Sequence, residues 1–158
     1  MEMLTQLKLA IKASPPFSDI TLRGTGFDVT YSISDMNVWL DFENDGYIDS
    51  DKADQVLDKP TLIIFQSADV SRALVEDALV VAELQILVNH PGGRPALDGY
   101  TQLCQHILNE EESFLRFYGF VPRQLRITPV RTGEAITPNL KGRLLTRSLI
   151  AHLSYFGG

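Results

Sequence analysis

Met3, Leu4, Leu7 and Ile11 recur at helical spacing, with Lys8 and Lys12 off that stripe, so residues 2–13 predict a short amphipathic helix. Ser14-Pro15-Pro16 ends it, because proline has no N–H to continue the hydrogen-bond ladder. Phe27, Val29, Tyr31 and Ile33 alternate with polar residues and predict a half-buried strand. Val38, Leu40 and Phe42 alternate again, with Trp39 on the other face. An acidic stretch from Asp41 to Lys59 follows, with the turn signal Asn44-Asp45-Gly46, and it predicts an exposed loop or insertion. After Lys59-Pro60, Leu62-Ile63-Ile64-Phe65 is short, apolar and β-rich, as a central strand is.

Residues 76–88 predict a long strand: Ala82, Leu84, Ile86 and Val88 face one way, Glu83 and Gln85 the other. Asn89 to Gly93 is rich in turn formers, and Gly92-Gly93 reverses the chain into the clearest helix. That helix carries one stripe of Leu97, Tyr100, Leu103, Cys104, Ile107 and Leu108, with Pro95 in its first turn. It ends near Glu110-Glu111-Glu112, and Phe114 to Phe120 predicts an aromatic linker that caps the core. Leu125 to Val130 predicts a short strand and Thr132 to Lys141 a loop. Arg143 to Phe156 predicts a last strand, with Leu145, Leu149, Ala151, Leu153 and Tyr155 on one face and Arg147 interrupting them. Strands in runs, with few helices between them, predict one α+β domain over residues 1–158. Its sheet is expected to be mostly antiparallel or mixed, with two main helices on one face.

Composition changes this picture little; charge changes it more. The 158 residues suffice for one buried core, no apolar run reaches the ~18–20 residues of a membrane span, and the first residues predict no secretory signal. Cys104 is the lone cysteine, so no internal disulfide is expected. The net charge of −6 is unevenly placed: 19 of the 20 acids and 7 of the 14 basic residues precede Ser113, giving −12 there and +6 after it. Such a split suits self-assembly, an acidic face of one copy meeting a basic face of the next. The interface candidates on that reading are Asp45, Asp49 and Asp51 against Arg123, Arg126, Arg131, Arg143 and Arg147.

The search for chemistry yields one overlay. Asp41, Glu43 and Asp45 fall where an EF-hand calcium loop places oxygen ligands, Gly46 at its turn and Asp49 at its water-bridging position. The twelfth position, where a bidentate glutamate belongs, is Lys52, a cation that repels calcium. The segment before it alternates like a strand and not like the entering helix. No metal or cofactor site is therefore expected, and a calcium-modulated binding module stays only as an alternative. His90, His106 and His152 have no metal-ligand spacing within one element, and no serine carries a nucleophile-elbow glycine pattern. Cys104, within an apolar stripe, is expected to be a core residue, so no enzyme is predicted.

The order just described resembles the tail terminator proteins of tailed bacteriophages, of the Mu-like, contractile-tail prophage type. An amphipathic N-terminal helix leads to strands, and a long strand runs into Gly92-Gly93-Arg94-Pro95-Ala96-Leu97 and its helix. Two strands close the chain, ending Arg147-Ser148-Leu149-Ile150-Ala151-His152-Leu153-Ser154-Tyr155-Phe156. The resemblance implies a structural virion protein made in the host cytoplasm, forming a ring, commonly a homohexamer, that caps the tail tube and joins it to the head or neck. It implies three partners: the tail tube protein, a head-completion or neck protein, and genomic DNA passing through the pore without sequence-specific binding. No membrane partner or catalytic residue is implied. A head-completion or neck adaptor of the same particle is the alternative within this class.

Overall fold

The computed structural model describes residues 2–14, 20–23, 28–40, 50–66, 79–89, 93–110, 112–132 and 144–156. In chain order its elements are helix α1 (Glu2–Ala13), strands β1 (Ile20–Arg23) and β2 (Asp28–Tyr31), a 3-10 turn (Ile33–Asp35), β3 (Asn37–Leu40), α2 (Ser50–Asp58) and β4 (Thr61–Gln66). Then come β5 (Leu79–Asn89), α3 (Arg94–Glu110), α4 (Glu112–Phe117), β6 (Phe120–Ile127), β7 (Arg131–Thr132) and β8 (Leu144–Tyr155).

The sheet is built around β5 and β8, paired antiparallel from Leu79 opposite Ser154 to Asn89 opposite Leu144. Its order is β3-β4-β5-β8-β6, with β7 also on β8, while β1 and β2 form a separate antiparallel ribbon. β3 and β4 run parallel, and the other pairings in the sheet are antiparallel. The fold is thus α+β with a mixed sheet, as the strand runs predict.

Period-2 alternation decides which side chains meet which helix. Leu62, Ile64, Ala82, Leu84, Ile86, Val88, Leu149, Ala151 and Leu153 are buried on one face. They pack there against Leu4, Leu7, Ala10 and Ile11 of α1 and the whole predicted stripe of α3. Each fully buried leucine or isoleucine in this layer contributes about 1.5–3 kcal/mol relative to exposure.

The other face carries a helix the sequence reading does not contain. Residues 50–58 fold as α2 and are not loop, correcting the expectation over Asp41–Lys59; positions 41–49 of that stretch lie outside the described residues. Val56 of α2 is buried with Ile63, Leu87 and Leu144, and Trp39, Leu57 and Phe65 pack around them. α2 supplies the crossover that a parallel β3–β4 pair requires. Asn37 ties this unit together: its side-chain amide donates to the Gln55 carbonyl (3.0 Å) and to Thr61 Oγ1 (3.1 Å). Its backbone N–H donates to the Pro60 carbonyl at 2.9 Å.

Two glycines permit close packing around α3. Gly93 stands where a Cβ would lie 2.3 Å from the Asn89 carbonyl oxygen, so the strand-to-helix reversal has no room for a side chain. Gly99, in mid-helix, takes the ring of Tyr31, to which a Cβ would come within 2.2 Å. Tyr31 meets Tyr100 edge-on at 4.8 Å, and its hydroxyl donates to the Pro95 carbonyl at 3.3 Å.

Candidate interaction surface

Helix α4, β6 and the last residues of β8 form one end of the molecule. Phe120 is fully buried and packs on Tyr155 at 4.9 Å, which anchors β6 to β8. The strand therefore starts at Phe120 and not near Leu125 as the sequence pattern suggests. Tyr118 and Gly119 turn the chain between α4 and β6, and the Phe156 N–H donates to the Gly119 carbonyl at 2.7 Å. This leaves Phe117 83% and Phe156 58% exposed at the same end. Large aromatic rings that exposed are uncommon on a surface meant only for water.

β6 is an edge strand, and its register shifts between Pro122 and Gln124. A bulge, a proline and outward arginines are the means by which edge strands avoid adding another strand. Contact at this edge therefore runs through side chains. Arg123 is exposed but positioned: its Nε donates to Ser154 Oγ at 2.8 Å. Arg126 is exposed and lies opposite Ile150 of β8, and among the described residues it makes no ion pair. Ile127 remains 38% exposed. At Thr128 the edge is closed by two bonds to Ser148: the Thr128 N–H donates to the Ser148 carbonyl, and the Ser148 N–H to Thr128 Oγ1, both at 2.9 Å. Arg131 follows in β7, exposed and opposite Thr146. A groove of about 210 Å3 separates this edge from the end of α3, lined by Leu108, Asn109, Arg123, Gln124, Leu125 and Leu153 among others.

The other interface candidates are distributed differently. Asp41, Glu43, Asp45, Asp49 and Arg143 lie outside the described residues, and Asp51 falls in the first turn of α2. Most of the calcium overlay thus lies outside the described residues, and its last positions, 50–52, belong to a helix. Arg147 is turned inward, its side chain 19% exposed and its guanidinium donating to Asp98 of α3 at 3.2 Å. Asp98 also pairs with Arg94 at 3.5 Å, and Arg147 Nε is buried without a partner. The apparent interruption of the β8 apolar face is therefore an internal ion pair beneath α3. Only its partner on α3, unreadable from spacing, could have revealed it.

Among the described residues the reactive groups do not converge. Cys104 is fully enclosed against Ile11, Leu84 and Ile107, and burial pushes its thiol up to about 12. His106 is on α3 and His152 points to the opposite face of the sheet, while His90 lies outside the described residues. Among the described residues no group of three or more histidine, cysteine, aspartate or glutamate side chains could share a metal ion. Burial, with Asp35 and Tyr31 adding to it, pushes the Tyr100 hydroxyl up to about 12; Tyr31 is raised by burial and then by Asp98. Tyr31 packs against α3 and meets there the ring of Tyr100, a residue of that helix. No helix is long and apolar enough to cross a membrane among the described residues. No protein-family model matches the chain, and no curated protein matches it in sequence.

Proposed function

We propose that the chain is a structural subunit of a phage tail or tail-like particle, a tail terminator assembling as a closed ring that caps the tail tube and joins it to the head or neck. The observation that carries this reading is the sheet's exposed end. An edge built of arginines, a proline and a bulge, flanked by bare aromatic rings, is a surface for another protein. It has the aromatic and arginine content of an interface. The element order from α1 through the long β5 and the Gly93-to-α3 reversal to β8 supports the tail terminator over other ring proteins. A closed ring needs two different surfaces per subunit, and the unequal charge of the two parts of the chain fits that need.

In a terminator the pore passes DNA, and an acidic lining lets phosphates slide where lysines would hold them. Asp45 and Asp49 are the residues proposed for that lining or for a neighbouring ring, on charge alone. The test is native mass measurement and negative-stain imaging of the purified chain, followed by addition to polymerising tail tubes. A single ring species of about six subunits that stops tube growth is expected. A monomer at every concentration, or tubes that elongate unchanged, overturns the reading. Portal complexes bound in preference to tubes would assign it to the neck instead.

A further inference from the structure

The exposed end around Arg123 and Arg126 has a counterpart at the far end of the same sheet. α2 packs over Leu144, where β8 begins, whereas Arg126 lies beside Ile150 and the bulge beside Leu153. At ~3.4 Å per residue, Leu144 to Ile150 alone spans about 20 Å, and Leu144 to Leu153 about 30 Å. α2 thus packs over the start of β8, Arg126 lies beside the middle of that strand, and Arg123 lies near its other end. Asp54 and Asp58 of α2 are exposed. Asp58 also sits in the last turn, which contains no basic residue. A carboxylate there opposes the negative end of the helix dipole and weakens the helix. α2 thus retains a charge that its own stability disfavours, and it presents that charge outward.

We infer that the subunits of the ring join head to tail, the Arg123–Arg126 edge of one copy seating against the exposed Asp54–Asp58 face of α2 in the next. This inference rests on the ring reading above and adds the contact that builds the ring. The occupant is a second copy because that copy supplies the complementary charge at the required distance, as a heterologous, ring-closing contact demands. Phe117 and Phe156 stand at the end of this edge where β6 begins and add apolar area there. Pro122 and the bulge of β6 keep neighbouring sheets from fusing edge to edge, so the joint is made by side chains and is sensitive to salt.

The experiment compares the native mass of three purified chains: the unaltered protein, Arg123→Glu/Arg126→Glu and Asp54→Lys/Asp58→Lys. All five-strand cores are checked by their thermal melts, and Arg126→Glu alone serves as a milder variant, because Arg123 also bonds Ser154. Each reversed chain is expected to dissociate at least about 100-fold more readily, since like charges then face each other. Mixed one to one, the two reversed chains are expected to regain ring mass, as each supplies what the other lacks. Reversed chains that assemble like the unaltered protein, or a mixture that stays dissociated, overturn the head-to-tail contact while leaving the ring reading intact. So does loss of tube capping with ring mass unchanged, which would place the arginines against the tube. An unaltered protein that never assembles sinks the ring reading itself, and the contact with it.

Discussion

Replacing Asp98 with alanine would leave the Arg147 guanidinium beneath α3 with no counter-charge. The pair is 3.2 Å long, with Arg147 19% and Asp98 38% exposed at the side chain. Removing one partner of a fully buried pair costs about 3–5 kcal/mol, and an exposed pair is worth about 0–1 kcal/mol. This pair lies between those limits, so Asp98→Ala is expected to cost about 2 kcal/mol. For a domain of this size that corresponds to a fall in Tm of about 4–8 °C. Arg147→Met should behave differently. It removes a buried charge, together with an Nε that has no partner, and puts an apolar side chain in the row beside Ile86. Replacing a buried ion pair by apolar groups is often neutral or stabilising. The double variant Asp98→Ala/Arg147→Met should therefore recover most of what Asp98→Ala loses. Arg94→Ala, at a residue whose side chain is 61% exposed, should change little. Urea unfolding followed by circular dichroism measures all four. Equal losses for Asp98→Ala and Arg147→Met, or no recovery in the double variant, would refute the account of Arg147 as a buried cation held by one carboxylate.

Gly99→Ala should destabilise the protein by about 1–3 kcal/mol, although alanine is the better helix former by about 1 kcal/mol, because its methyl would strike the Tyr31 ring. In a Tyr31→Ala background the same change should turn neutral or stabilising, which a double-mutant cycle reads directly. Cys104 should resist iodoacetamide at pH 8 in the folded protein and react once urea unfolds it, since its thiol is held neutral by burial. Its folded value, pushed from 9.0 up to about 12, means the unfolded chain loses that proton first. Stability should therefore be full below pH ~9 and decline as the pH rises from there toward 12. Cys104→Ala should flatten part of that decline in melts taken across the range, with Tyr100 accounting for more of it.

The core was legible because single elements carry their own period. The α3 stripe and the alternation of β5 and β8 name, from spacing alone, the side chains that meet between helix and sheet. α2 was hidden because Asp51, Asp54 and Asp58 gave its segment the composition of a loop, and only Ala53, Val56 and Leu57 trace a helical stripe through them. β1 was missed as well, since Ile20 and Leu22 are too short an alternation to stand out before Gly24. The start of β6 was misplaced by Pro122 and Arg123, which read as breakers yet are tolerated on an edge strand beside a bulge. The parallel pairing of β3 with β4 and the partner of Arg147 depend on tertiary contacts that no local pattern encodes. The arginine edge was visible as residue types, but its separation into the exposed Arg123, Arg126 and Arg131 and an inward-turned Arg147 was not.

The long pairing of β5 with β8 also dictates an order of events. Asn89 must wait for Leu144, and among the described residues β6 has no other strand beside it, so β5 stands half-paired and β6 unpaired until β8 inserts between them. During synthesis the apolar flank of β5 emerges well before its partner, and zippering closes a loop of more than fifty residues at its shortest point. Such a chain folds late and all at once, and while nascent it is a natural client for chaperones that shield unpaired strands. The edge that β6 presents therefore exists only once β8 has been made and has paired.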